Sequence, residues 1–294
     1  AVDVDGNEVI DYIYAGDLQG NMWKFDVTSS NAAQWKVDYS GTPVFKATQG
    51  TIPQPITARP EVGEHPEGGY FVYFGTGRYV GVGDNIAAGA ITQTFYGIWD
   101  NGAAVTDGRT NLLQQKILAE TSNSFGEWRL TTDFIPAWTG GGAKKGWYMD
   151  LYNTEASNTN NYGEKQVSNP VLFNKRLIFT TLVPSSAICS AGGFSWLMEL
   201  NPETGARLDA SPFNVNGDSG FSVADKLSKG SVTDRYVSGK KLSNGIAGTP
   251  AIVYDPATKA EHKYLSQSDG TISEVGENSG SGGRVSWREI MNNN

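Results

Sequence analysis

Residues 11–27 read DYIYAGDLQGNMWKFDV. Asp11–Ala15 and Met22–Val27 are short runs rich in aromatic and branched side chains, and Gly16-Asp17-Leu18-Gln19-Gly20-Asn21 joins them. Strand formers on either side of a Gly- and Asp-bearing connection predict a β-hairpin. The same strand–Gly-turn–strand unit returns as SWLMELNPETGARL at 195–208 and KYLSQSDGTISEV at 263–275. Pro60, Pro170 and Pro250 each stand just before a short apolar stretch, a second recurring feature. Further strands are expected at Tyr70–Gly75, Phe95–Trp99, Gly146–Tyr152, Val171–Phe173, Leu177–Leu182, Trp196–Leu200, Ala251–Tyr254 and Lys263–Ser266. Thr110–Glu120 is the one moderate helix candidate. Meanders of this kind, stacked radially, make a β-propeller and leave only short edges. A β-sandwich is the rival fold, but it has no need of the repeated unit. With blades of about 40–50 residues, the chain supplies a partial or modified ring.

Composition agrees with an all-β class. Gly is abundant at 36 of 294 residues while charged residues are sparse at 18%, which suits many short strands and tight turns rather than long charged helices. The net charge of -8 repels nucleic acid and anionic lipid, and no basic stripe offsets it, so nucleic acid is not an expected partner. No apolar run reaches the roughly 18 to 20 residues that span a bilayer, so no transmembrane segment is expected. The single cysteine, Cys189, rules out a disulfide or a cysteine-based metal cage within the chain. It is either a free buried thiol or the partner of a cysteine elsewhere in a larger secreted protein. The sequence has no initiating Met and opens directly on a motif, so residues 1–294 read as one domain of a longer protein.

That opening motif, residues 3–11, is Asp-Val-Asp-Gly-Asn-Glu-Val-Ile-Asp. Oxygen-bearing side chains recur at Asp3, Asp5 and Asn7, Val9 stands where an EF-hand loop uses a backbone carbonyl, and Asp11 closes the run. Calcium takes six to eight oxygens at about 2.3–2.6 Å, and a tight loop with this spacing supplies hard oxygen ligands. Gly lies at position four rather than six, and position twelve is Tyr14 rather than a bidentate Glu. An EF-hand-like calcium loop without an exiting helix is therefore expected, with Asp11 as the last carboxylate. The bland alternative is an Asp/Asn-rich surface turn.

Other constellations are weaker. Asn214-Val215-Asn216-Gly217-Asp218 dilutes the same spacing, with Ser222 in the place of Asp11, and reads by default as an Asn/Gly turn. Asp17, Gln19 and Asn21 read as a hydrogen-bonded turn ahead of a glycan site. His65 and His262 are expected on the surface, and two such histidines support no Ser/His/Asp arrangement. Gly75-Thr76-Gly77-Arg78-Tyr79 lacks the Gly-Lys-Ser/Thr of a phosphate loop. Leu151–Gln166 and Glu277–Arg284, polar and Gly/Ser-rich, read as mobile solvated loops. Most of the eight tryptophans are expected between sheets, with one or two left to line an adhesive surface.

The calcium loop runs straight into DYIYAGDLQGNMWKFDV, and GGYFVYFGTGRY (68–79), GWYMDLY (146–152), SWLMELNPETG (195–205) and VSWREI (285–290) follow. In that order these motifs resemble the C-terminal β-propeller of the PilY/PilC family of type IV pilus tip-associated adhesins. Asp3, Asp5, Asn7, Val9 and Asp11 match that family's calcium loop position by position. The resemblance implies a non-enzymatic, calcium-binding pilus-tip module. Its implied roles are control of pilus extension and retraction (twitching motility) and attachment to surfaces or host cells. Minor pilins at the tip and a host-cell ligand are the implied partners, and the pilus tip or outer-membrane surface the implied location. No Arg-Gly-Asp triplet supports an integrin contact. The competing readings are a quinone-dependent propeller dehydrogenase, which shares the YAGDLQGNMWKFD type of run, and a glycan-binding propeller.

Overall fold

The computed structural model describes residues 1–87, 89–155, 162–187, 191–218, 220–243, 245–255 and 260–278. Cys189, residues 256–259 and Trp287 lie outside the described residues, as does most of the expected loop Glu277–Arg284.

The chain opens with a small blade. Strands β1 (Tyr12–Gly16) and β2 (Asn21–Asp26) pair antiparallel, and β3 (Lys36–Val37) and β4 (Phe45–Lys46) share the far edge of β2. A short hairpin, β5 (Thr48–Gln49) and β6 (Ile52–Pro53), leads on to the main sheet. A three-strand meander follows, β7 (Glu61–Glu64), β8 (Tyr70–Gly75) and β9 (Thr94–Asp100), and then β10 (Leu113–Asn123). Next come β11 (Gly126–Thr131), β12 (Gly146–Asn153), β13 (Val171–Phe173), β14 (Arg176–Pro184) and β15 (Gly193–Leu200). After the surface hairpin of β16 (Lys226–Lys229) and β17 (Val232–Tyr236), β18 (Gly239–Leu242) returns to the main sheet. A closing three-stranded meander consists of β19 (Ala251–Asp255), β20 (Ala260–Ser266) and β21 (Ile272–Asn278).

The expected all-β propeller class holds, but its middle blades are not separate. Ten strands form one sheet in the order β13-β14-β15-β18-β11-β10-β12-β9-β8-β7. Its pairs are antiparallel except for one seam, where β10 runs parallel to β12. The two ends meet: a Cβ added to Gly63 of β7 would stand 2.7 Å from Leu172 Cδ2 of β13. The sheet is therefore curled nearly closed.

Period-two alternation explains the curl. Phe71 and Tyr73 on β8, Phe95 on β9, Trp147 and Met149 on β12, Phe179 on β14 and Trp196 and Met198 on β15 all enter one enclosed core. The residues between them face outward. Val72, Phe74, Tyr96 and Ile98 pack against Tyr14, Met22 and Phe45 of the opening blade. Ile178 and Leu197 pack with Trp128, Phe213, Leu265 and Val275 under the closing meander. Both faces are buried at β9 and β14, which is why neither strand has an exposed residue and both are predominantly apolar.

Two expectations fail here for identifiable reasons. Thr110–Glu120 is not helical: a short 3-10 turn at Gly108–Asn111 runs into β10, where Gln115, Ile117 and Ala119 are buried and their neighbours are not. Cross-strand burial overrides the modest helix preference of its Leu, Gln, Lys and Glu residues. The stretch Leu151–Gln166 is not one solvated loop. Leu151–Asn153 finish β12, and Glu164, Lys165 and Gln166 are buried. Glu164 takes both guanidinium Nη atoms of the buried Arg129 at 2.6 Å each, and Arg129 also spreads over the Trp196 ring, 4.1 Å from its centroid. A second buried set, Arg176, Glu199, Glu261 and Lys263, ties β20 to the main sheet, with Lys263 Nζ 2.7 Å from Glu199 Oε1.

Phe179 tests the enclosed core. Its ring stacks on Phe95 at 3.9 Å between centroids, and it is fully buried. Phe179→Ala is expected to cost about 3–5 kcal/mol, read as a lower urea midpoint at unchanged m-value.

Candidate metal centre

Loop 3–11 is clamped at its base by the first blade. Val2 N donates to Tyr12 O at 2.8 Å, and Asp11 N and Tyr12 N both donate to Val2 O, at 2.9 and 3.1 Å. Val27 N, at the end of β2, donates to Asp11 O at 2.9 Å. The chain thus leaves and re-enters the sheet at fixed points, and the residues between them must turn tightly. Gly6 (φ 73°) and Glu8 (φ 67°) supply the left-handed backbone that this requires.

The tight turn directs the side chains inward. Asp3 accepts from Gly6 N through Oδ1 (2.8 Å) and from Glu8 N through Oδ2 (2.7 Å). Asp5 Oδ1 accepts from Asn7 N at 3.2 Å, and Asp11 Oδ2 accepts from Val4 N at 2.7 Å. Carboxylate oxygens of Asp3, Asp5 and Asp11 consequently lie within 4.8 Å of one another. Among the described residues no other group of three acidic, histidine or cysteine side chains converges in this way. Desolvation pushes the Asp3 carboxyl up, but N–H groups from Glu8, Gly6 and Asn7 outweigh it and hold it below the ordinary carboxylate value.

Three of the five expected ligands therefore come together. Asn7 sits beside them with its amide turned over: Nδ2 donates to Asp5 Oδ2 at 2.9 Å while Oδ1 accepts from Val9 N at 2.7 Å. Rotating that amide by half a turn would present an oxygen on the carboxylate side, but it would give up the bond from Val9 N. Val9 contributes no side-chain donor and its side chain points to solvent. The donor set is all oxygen and carries three negative charges, which suits a hard divalent cation such as calcium and no soft one.

The diluted copy at 214–218 folds on the same template. Asn214 Oδ1 accepts from Gly217 N, Asn216 Oδ1 from Asp218 N and Asp218 Oδ1 from Gly220 N, at 2.7, 2.9 and 2.7 Å. Ser222 does not close it, because its hydroxyl accepts from Ala224 N to cap a 3-10 turn. The carboxylate that closes it is Asp225, which accepts from Val215 N (2.8 Å) and Ser222 N (2.7 Å). Its distance along the chain from Asn214 matches position twelve of an EF-hand loop, a spacing the reading of 214–218 alone did not reach. Only Asp218 and Asp225 carry charge here, and no third acidic side chain among the described residues converges on them, so the segment is a hydrogen-bonded turn.

The remaining candidates resolve as structure. Asp17 accepts from Gln19 N, Asn21 N, Asn21 Nδ2 and Trp23 Nε1, so the hairpin connection is a self-satisfied turn. The amides of Thr76 and Gly77 donate to Thr94 O and Pro55 O, which leaves no phosphate cradle. His262 pairs with Glu274 at 2.8 Å near the surface, as expected. His65 is not the expected solvated residue. It is only 4% exposed, stacked on Trp99 at 4.0 Å with Phe71 and Trp138 against it, and its Nδ1 accepts from Glu67 N. The Pro- and Gly-bearing segment around it suggested solvent, whereas the aromatic box is assembled from residues far away in the chain. Of the tryptophans among the described residues, Trp35 is the open one, 53% exposed beside a 350 Å³ groove of Ile13, Phe25, Val27 and Val37.

Fold and loop together define a β-propeller domain with an acidic, EF-hand-like loop at the edge of its first blade. Residues 1–127 match the family model described as the PilY1 beta-propeller domain. A type IV pilus biogenesis factor PilY1 homolog of Xylella fastidiosa is 35% identical over 69% of this chain and 14% of its own length. The type IV pilus biogenesis factor PilY1 of Pseudomonas aeruginosa is 27% identical over 99% of this chain and 27% of its own. The crystal structure of the Pseudomonas aeruginosa PilY1 C-terminal domain superposes with a TM-score of 0.80 at 26% identity, covering 95% of this chain and 59% of that one. This chain belongs to the PilY1 family and corresponds to its C-terminal β-propeller. It spans only about a quarter, or less, of the length of these curated relatives.

His65 carries a pH dependence. Burial pushes its pKa down from 6.5 to about 4, so the folded protein keeps it neutral while the unfolded chain takes up a proton first. Its contribution is fully present above pH 6.5 and is lost as pH falls toward 4, by up to about 1.4 kcal/mol per pH unit. Thermal unfolding between those limits is expected to show a flatter pH profile for His65→Phe than for the parent.

Proposed function

We propose that this domain is the calcium-binding, non-catalytic module of a type IV pilus-associated adhesin. The observation that carries this reading is the convergence of Asp3, Asp5 and Asp11 within 4.8 Å on a loop clamped to the first blade. Asp3, Asp5, Asp11 and the turned amide of Asn7 would hold the ion, with the Val9 carbonyl as a further oxygen. Calcium supplies two positive charges there and leaves the filled loop at a formal -1. Without it, three crowded carboxylates repel one another and the exposed loop depends on backbone N–H groups alone. With no bidentate Glu at position twelve, the affinity expected is modest, roughly 10⁻⁶ to 10⁻³ M.

The relatives named as type IV pilus biogenesis factors support a pilus-associated role for the parent protein. The location we propose for it is the pilus tip or outer-membrane surface. In that setting calcium occupancy would bias pilus extension against retraction, and with it twitching motility and attachment to surfaces or host cells. Minor pilins at the tip are the proposed partners. No helix among the described residues is long and apolar enough to cross a membrane.

Asp11 is the residue to change. Asp11→Ala removes the carboxylate nearest the clamp while the Val2–Tyr12 bridge, which is made by backbone atoms, remains. Titration calorimetry is expected to lose the calcium signal, with the circular dichroism spectrum unchanged. In cells, pili are expected to assemble with altered twitching. An Ala variant that binds calcium as tightly as the parent would make 3–11 an ordinary turn.

A further inference from the structure

A second polar cluster lies just inside the fold, built on the strand that leaves the metal loop. Asp11 closes the loop and Tyr12 begins β1. Two residues on, the buried Tyr14 donates its hydroxyl to Asp100 Oδ2 at 2.6 Å. Asp100 ends β9 in the main sheet, and it also accepts from the Tyr39 hydroxyl and, at 3.1 Å, from Gly102 N. Lys24 stands opposite Tyr14 in the β1–β2 register. Its ammonium lies 3.2 Å from Asp100 Oδ2 and 3.9 Å from the centroid of the Tyr12 ring. One buried carboxylate thus holds the start of β1 twice, directly through Tyr14 and through Lys24 against Tyr12.

We infer that Tyr14 and Asp100 are positioning residues for the loop: they lock β1 onto the main sheet so that Asp11 is already in place when a cation arrives. The inference rests on the calcium reading of that loop. The loop concentrates three carboxylates at the surface, and without a cation their repulsion would drive Asp11 away from Asp3 and Asp5. The opposing force at the Asp11 end comes from β1, and β1 is fixed to the main sheet by the Tyr14–Asp100 bond. If the lock is loosened, only part of the population presents the complete ligand set, and the apparent affinity falls in proportion to that part. The coupling is reciprocal, so a bound ion also tightens β1.

The test uses the whole chain with calcium chloride as the probe, well below the unfolding temperature. Tyr14→Phe removes the hydroxyl and leaves Asp100 its contact with Lys24. Ile178→Val, in the core under the closing meander, is the control for a comparable loss of stability at a distance from the loop. Calorimetry is expected to give Tyr14→Phe about tenfold weaker calcium binding at the parent's stoichiometry, corresponding to about one molecule in ten remaining locked. Ile178→Val is expected to keep the parent affinity while losing stability. Hydrogen exchange of the amides of residues 12–15 should slow on adding calcium to the parent, and less so in Tyr14→Phe. Equal calcium affinity of Tyr14→Phe and parent would overturn the inference. If the parent itself takes up no calcium, the metal reading fails, and exchange at residues 3–11 still decides the lock. Faster exchange there in Tyr14→Phe supports it, and unchanged exchange refutes it.

Discussion

Everything in this structure depends on the central strands of the main sheet, β9 and β14 above all, having no solvent face. On β8, Phe71 and Tyr73 point into the curl while Val72 and Phe74 point out of it, and both directions end in packed aromatic cores. A sheet that buries both faces has to be covered on the outside. The opening blade does this on one side and the closing meander on the other. A one-residue slip of any central strand would exchange its two sets of side chains between cores of different shape, so register is held by packing along the whole sheet.

Complete burial also constrains the polar groups. Where charge is buried it is paired, inside the curl as Arg129 with Glu164 and Glu120, and between the sheet and the closing meander as Arg176 and Lys263 with Glu199 and Glu261. A lone buried charge costs several kcal/mol, whereas partners in good geometry offset most of that cost and fix one arrangement of neighbouring strands. The Lys24–Asp100 contact belongs to the same category, and it joins the opening blade to the main sheet. That blade carries the acidic loop, so the loop's geometry is inherited from buried chemistry well inside the surface.

Much of this was legible in the residues. The strands at Tyr70–Gly75 and Val171–Phe173 end where their apolar runs end, and the hairpin through Gly16–Asn21 forms around Asp17 as a Gly/Asp connection should. The convergence of Asp3, Asp5 and Asp11 was legible because the bonds that turn their carboxylates inward come from N–H groups within the loop, whereas the clamp from Val2 and Val27 was not. What escaped is non-local. Gln115, Ile117 and Ala119 show a strand pattern only once β11 and β12 lie on either side of them. His65 gains its aromatic box from Trp99 and Trp138, and Glu164 gains Arg129, through contacts that no local window contains. The fusion of the blades is of the same kind: the parallel β10–β12 seam depends on where the chain goes after β11, not on the composition of either strand.

The connectivity of the sheet has a consequence for how the molecule is made. The opening blade pairs within residues 12–46 and can form as soon as that stretch is free. The curl cannot. Arg129 of β11 finds its backbone neighbour in Gly239 of β18, and β7 waits for β13 before its edge is covered. Until residue 242 is available, the main sheet is a set of incomplete meanders with apolar faces and open edges, the slow and aggregation-exposed situation of topologies with distant contacts. The sheet's closure thus rests on pairings between residues more than a hundred positions apart, and the last of its strands to be made is the one that joins its two halves.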